Sequence, residues 1–179
     1  MDKIDFYFKV LARYDLYVQL ANTKASNHIT LLASILASVS ALVGWGLAFD
    51  KPSFCMAIIV FLYIIFLYRC YEWYSSCMKV IEPNRKRNDG NTEHKSENEL
   101  SSIFYSDVSK FRSFDSFKAE AVSRNDDDHL EDLIQQVSIM AKVTEKKYDD
   151  YEKVNGHVIH AVLLGCLILF FICIAKLNS

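Results

Sequence analysis

The sequence predicts an all-α integral membrane protein with three transmembrane helices and a cytoplasmic helical bundle. Three observations predict it. Residues 29–49, 54–68 and 158–175 are apolar stretches without an Asp, Glu, Lys or Arg. A bilayer core takes about 20 apolar residues per helix, with a lower bound near 17. The second stretch is short, but Arg69 can snorkel while Cys70 and Tyr71 extend it. Next, the stretches are arranged as a tight hairpin, a long hydrophilic segment and one closing span, the plan of a small module on a membrane anchor. Finally, no alternating strand pattern occurs anywhere in the 179 residues.

Residues 1–28 form the first element, an amphipathic arm. Ile4, Phe8, Leu11, Val18 and Ala25 recur at three- and four-residue steps. Nothing breaks this pattern before the first span, so one long helix is expected to cross from water into lipid. A polar arm in this position also argues against a cleavable signal sequence.

Residues 29–71 form the hairpin. Asp50-Lys51-Pro52-Ser53 is its only break, and a turn so short makes the next helix run antiparallel. Span one carries a small-residue face of Ala33, Ala37, Ala41, Gly44 and Ala48, with Ser34 and Ser38 beside it. Small residues at four-residue steps let helix backbones approach closely. That face suits packing within the subunit or between subunits, and the functional reading takes the second, a homo-oligomer. Span two, with Phe61, Tyr63, Phe66 and Tyr68, is bulky and suits lipid contact or the opposing groove.

Residues 72–156 form the cytoplasmic segment. Residues 82–99 hold proline, glycine, asparagine and mixed charge with no aliphatic or aromatic residue, and read as a flexible linker. Arg85-Lys86-Arg87 within it can touch anionic headgroups, or act only as a topology signal. Residues 100–124 carry Ile103, Phe104, Tyr105, Val108, Phe111, Phe114 and Phe117, which suit short helices packed on the long arms. Asp126, Asp127 and Asp128 offer an N-cap and negative charge for a second long helix. Its stripe is Leu130, Leu133, Ile134, Val137, Ala141, Thr144, Tyr148 and Tyr151, running into the third span at residues 157–176. Gly156 is a weak point that need not break it. At about 1.5 Å per residue both arms rise roughly 40 Å, so they can pack along their length.

Lysine and arginine number 20 against 22 aspartates and glutamates, a formal charge of −2. Arg13, Lys24, Arg69, Lys79, Arg85, Lys86 and Arg87 flank the spans on one side, with Lys142, Lys146, Lys147 and Lys153. The other side has Lys51 and Lys176. Positive flanks stay inside, which puts the N-terminus and residues 72–156 in the cytoplasm and the C-terminus in the periplasm. The five cysteines form neither a disulfide framework nor a zinc spacing.

Catalysis is not expected. The five glycines make no P-loop and no dinucleotide fingerprint, and no nucleophile–base spacing stands out. His28, His157 and His160 at the mouths of the spans suit interfacial anchoring better than a metal site, which needs further ligands. The spans hold no charged relay, which argues against a transporter. No nucleic-acid partner is implied. Lys24, about one turn above span one, can snorkel, or it can join a polar cluster at the foot of a bundle.

Asn22-Thr23-Lys24-Ala25-Ser26, Ile103-Phe104-Tyr105-Ser106-Asp107-Val108, and Glu131-Asp132-Leu133-Ile134-Gln135-Gln136-Val137 through Ala141 and Lys146-Lys147-Tyr148 together resemble the family of Pycsar membrane effectors. The likeness covers almost the whole chain. It departs at Ser106, where members often have glycine. The resemblance implies an antiphage effector of the bacterial inner membrane. Such an effector would sense cyclic CMP or cyclic UMP from a cognate cyclase and damage the bilayer to arrest the infected cell. A cyclic mononucleotide needs a cation for its phosphate, an aromatic surface for its base, and a carboxylate or carboxamide for its polar edges. Candidate contacts are Lys24, Arg112, Lys146 and Lys147 for phosphate, Phe104, Tyr105 and Tyr148 for stacking, and Asn22, Asp107 and Gln136 for hydroxyl or base. Two other readings stay open: a membrane-anchored adaptor that docks a partner protein, and a constitutive pore-forming toxin.

Overall fold

The computed structural model describes residues 2–48, 54–83, 101, 103 and 105–177. Among them the chain forms five helices and no strand: α1 (Lys3–Leu47), α2 (Phe54–Ile81), α3 (Tyr105–Val108), α4 (Phe114–Ser123) and α5 (Asp126–Leu177). α1, α2 and α5 are each long and apolar enough to cross a membrane. α1 runs unbroken from the polar arm through span one, and α5 runs through Gly156 into span three, as the sequence predicts. The hairpin turn at residues 50–53 and most of the linker at residues 82–99 lie outside the described residues.

The chain divides into two compact units. One comprises Ala21–Glu82 and Lys147–Ser179 and holds the spans. Its core follows a seven-residue repeat. On α1 the buried or half-buried positions that follow it are Ala21, Ala25, His28, Leu32, Ile35, Val39, Leu42 and Gly46, with Val43 buried beside them. On α2 they are Ile59, Tyr63, Phe66, Cys70, Trp73, Cys77 and Val80, and on α5 Lys147, Tyr151, Val154, Val158, Ala161, Gly165, Ile168 and Ile172. Alternating three- and four-residue steps give an average period of 3.5, the signature of left-handed coiled packing. Outside this seam Phe61, Ile64, Tyr68, Leu163 and Phe170 are exposed, as lipid-facing side chains are. Ser40 bonds the Leu36 carbonyl and lies 2.8 Å from the Tyr63 hydroxyl, so its polar group is satisfied within the span. At the far end Lys176 Nζ sits 4.3 Å from the centre of the Trp45 ring. From His28 to Trp45 α1 rises about 26 Å, close to the ~30 Å apolar core of a bilayer.

Gly46 has a steric reason to be glycine. A Cβ there would stand 3.0 Å from Ile172 Cγ1, whereas one at Gly44 would meet nothing within 4 Å. Gly46→Leu should therefore lower stability by about 1–3 kcal/mol through overpacking. Gly44→Leu should leave the subunit unchanged. Detergent unfolding midpoints of the two variants check this, and equal midpoints would refute it.

The small-residue face of span one is not the packing face. Ala33, Ala37, Ala41, Gly44 and Ala48 are all exposed, because Leu32, Val39, Val43 and Gly46 face the other two spans instead. Of the two readings of that face, packing within the subunit is therefore not the one this subunit uses. The two sets lie about two-fifths of a helical turn apart, roughly 150° at 100° per residue.

The other unit comprises Met1–Leu20 and Pro83–Lys146. Both arms contribute to it, with α3 and α4. Leu133 is its buried anchor. The half-buried face of the first arm is Ile4, Tyr7, Leu11, Tyr14 and Val18, again a heptad. Phe8 is excluded from it and stands 51 % exposed, since a four-residue step from Ile4 overshoots the seam. Ile134 is exposed for the same reason, being next to the seam residue Leu133. The cap of α5 is also corrected. Asn125 Oδ1 accepts from the Asp128 amide at 2.9 Å, and Asp128 Oδ2 accepts from the Asn125 amide at 3.0 Å. Asn125 is thus the N-cap and Asp128 its partner in a reciprocal capping box. α4 begins with the same device, built from Ser113 and Ser116. Arg124 ties α4 to α5, donating to Glu120 Oε1 at 3.1 Å and Asp132 Oδ2 at 2.7 Å.

Candidate functional site

Lys147 occupies a seam position on α5, between seam residues Thr144 and Tyr151, and is only 5 % exposed. The heptad spacing buries it: a side chain seven residues before Val154 points into the same interface. Its ammonium donates to Asn22 Oδ1 at 3.1 Å, to the Glu82 carbonyl at 3.3 Å and to the Val80 carbonyl. The last carbonyls of a helix lack intrahelical partners, and here a lysine from another helix caps α2. An ammonium has donors for each of these acceptors.

One to two turns further toward the spans lies an aromatic layer. His28 Nε2 is 3.2 Å from the Tyr151 hydroxyl, and the His28 ring meets Trp73 edge to face at 6.0 Å between centres. Trp73 is fully buried. Lys24 Nζ lies 5.6 Å from the centre of the Tyr151 ring, within cation–π range. Beside Trp73, burial pushes the Cys77 thiol up to about 11, which leaves it unreactive at neutral pH. On the outer face of α5, hydrogen bonding and charge attraction from Asp150 raise the Lys153 ammonium above its usual value. Among the described residues no cluster of histidine, cysteine or carboxylate side chains could hold a metal ion.

The ten residues proposed from sequence divide between the two units. Asn22, Lys24, Lys147 and Tyr148 belong to the membrane unit, where Asn22 and Lys147 bond each other. Tyr148 is half-buried against that unit's core. Asp107, Arg112, Gln136 and Lys146 belong to the other unit. Asp107 is 1 % exposed. It accepts from the Ser101 amide at 3.2 Å and from Lys110 at 3.3 Å, so it serves to close the turn into α3. Arg112 and Lys146 are exposed, and Gln136 is half-buried. Phe104 and the side chain of Tyr105 lie outside the described residues.

Sequence reasoning missed the layer built by His28, Trp73 and Tyr151. Their registers carry the signal: each continues the heptad of an apolar seam that the spans share with the arms. Reading the arms and spans separately hides it.

No curated protein and no solved structure matches the chain. The family model described as Pycsar effector protein domain matches residues 6–176. That span takes in all five helices but for the first residues of α1 and the last of α5, so the chain belongs to the Pycsar effectors, proteins of antiphage defence.

Proposed function

We propose that this protein is a ligand-gated membrane effector and not an enzyme. It senses cyclic CMP or cyclic UMP made by a cognate cyclase, through cytoplasmic helices at residues 1–28 and 72–156. Binding changes the packing or assembly of the spans, and inner-membrane integrity fails, arresting the infected cell. Family membership supports the defence role and the cyclic-nucleotide signal. One observation supports the gating: α1 and α5 each carry a single heptad seam, without a break, from polar arm into apolar span. A helix that does not break transmits a rotation or shift along its length, and a ligand drives one by binding the active arrangement more tightly than the resting one.

Assembly is a homo-oligomer through the exposed face of Ala33, Ala37, Ala41, Gly44 and Ala48. Beside that face α1 and α5 leave an apolar groove of about 420 Å³, bordered by Ser34, Ser38, Leu42, Gly165, Cys166 and Leu169. Ser34 and Ser38 donate to the carbonyls one turn back, at 3.0 and 2.8 Å, so neither hydroxyl opposes an apolar neighbour.

The test is binding of cyclic CMP and cyclic UMP to the purified protein in detergent, with cyclic AMP as control. Selective binding of a pyrimidine nucleotide is expected. A folded sample that binds neither would favour the adaptor reading instead.

A further inference from the structure

We infer that the Lys147 ammonium is a resting-state latch, which ties α1 and α5 to the end of α2 and must release before the spans repack. The inference rests on the gating reading above and assigns its bistable element.

Three observations carry it. Lys147 stands in an apolar seam where a methionine would fill the same space with no charge to desolvate. A buried charge is a weak source of stability, and its best-attested use is to set register or to switch. The acceptors come from segments far apart in the chain, Asn22 on α1 and the Val80 and Glu82 carbonyls at the end of α2. Those segments adjoin the points where the chain leaves the membrane unit, namely Leu20–Ala21, Glu82–Pro83 and Lys146–Lys147. Any pull along the chain toward the spans thus reaches residues that this one ammonium holds.

The neighbouring layer favours release. His28 Nδ1 is buried with no hydrogen-bond partner among the described residues, whereas Trp73 has the Cys77 thiol as a partner. An unsatisfied buried polar group costs stability, so this arrangement is less favoured than a fully satisfied one and a repacked alternative lies closer in free energy.

The test expresses the full chain in cells without a cyclase and reads dye uptake together with the amount of protein in membranes. Asn22→Leu removes one acceptor of the ammonium, and Lys147→Met removes the cation at similar length. Losing one charge-assisted bond shifts a two-state balance by about tenfold or more. Uptake without any cyclase should therefore rise about that much in N22L and further in K147M. Asn22→Asp strengthens the bond and should raise the dose of cyclic CMP or cyclic UMP that wild type needs. If K147M does not accumulate, N22L decides. Loss of a ligand contact cannot produce leakage in the absence of ligand, so the readout separates a latch from a binding residue. N22L at wild-type abundance without leakage overturns the latch. Wild type that ignores both nucleotides while N22L leaks overturns the sensing reading and keeps the latch.

Discussion

Ala37→Leu with Ala41→Leu should abolish membrane damage while leaving insertion and subunit stability intact. Both alanines are exposed, and the subunit's own helices pack on Leu32, Val39, Val43 and Gly46. Leucine is a strong helix former and favourable in a bilayer, so the subunit has no reason to reject it. What leucine removes is close approach of another helix, since small side chains let backbones come together. Overpacking a tight helix contact typically costs about 1–3 kcal/mol per site, enough to move an assembly equilibrium at least tenfold. Activity would be read as dye uptake in cells that express the cognate cyclase, and insertion as recovery in the membrane fraction. Full activity in the double variant would eliminate span one as the assembly face. Loss of activity with unchanged abundance would establish it.

Trp73→Ala should be the most destabilising single substitution in the membrane unit. Trp73 is the largest fully buried side chain, and its ring makes an edge-to-face pair with His28. Truncation to alanine leaves a cavity where α1, α2 and α5 meet, and such truncations cost about 3–5 kcal/mol. Loss of the aromatic pair adds about 0.5–1.5 kcal/mol. The cost falls at the level of the Lys24–Tyr151–His28 layer, so the cap on α2 should loosen with it. Unfolding of the purified protein in a denaturing detergent measures this, and Trp73→Phe should recover part of the loss. A change below about 1 kcal/mol would mean that the three helices do not pack there as described.

The seams show how much was legible in the chain. Ile4, Leu11, Val18 and Ala25 were readable as one face of α1, because apolar positions seven residues apart in a polar arm contrast with their neighbours. The same repeat continues through Leu32, Val39 and Gly46, yet there every neighbour is apolar too and periodicity loses its contrast. Phe8 and Ile134 read as seam positions in the sequence because a hydrophobic residue beside the right position looks the same as one in it. Lys147 is legible in the sequence as a cation flanking the span and a candidate phosphate contact, since charge argues for solvent or a ligand unless the partners are known. Its partners are an asparagine 125 residues away and backbone carbonyls more than 60 residues away. Backbone acceptors leave no trace in side-chain identity.

The sequence by itself determined the helical class, the three spans and the single long helices entering two of them. These follow from local properties: apolar length, the lack of breakers and the matching of polar residues to arms. It also carried the family likeness that the match over residues 6–176 establishes. Only the tertiary structure decided which face of each span points inward, and hence that the small-residue face of span one is left outside. It alone showed that a lysine expected to meet a ligand is buried on the end of α2. Both depend on which helices are neighbours. In a bilayer the inward and outward faces are equally apolar, so that choice rests on shape and backbone hydrogen bonding between distant segments.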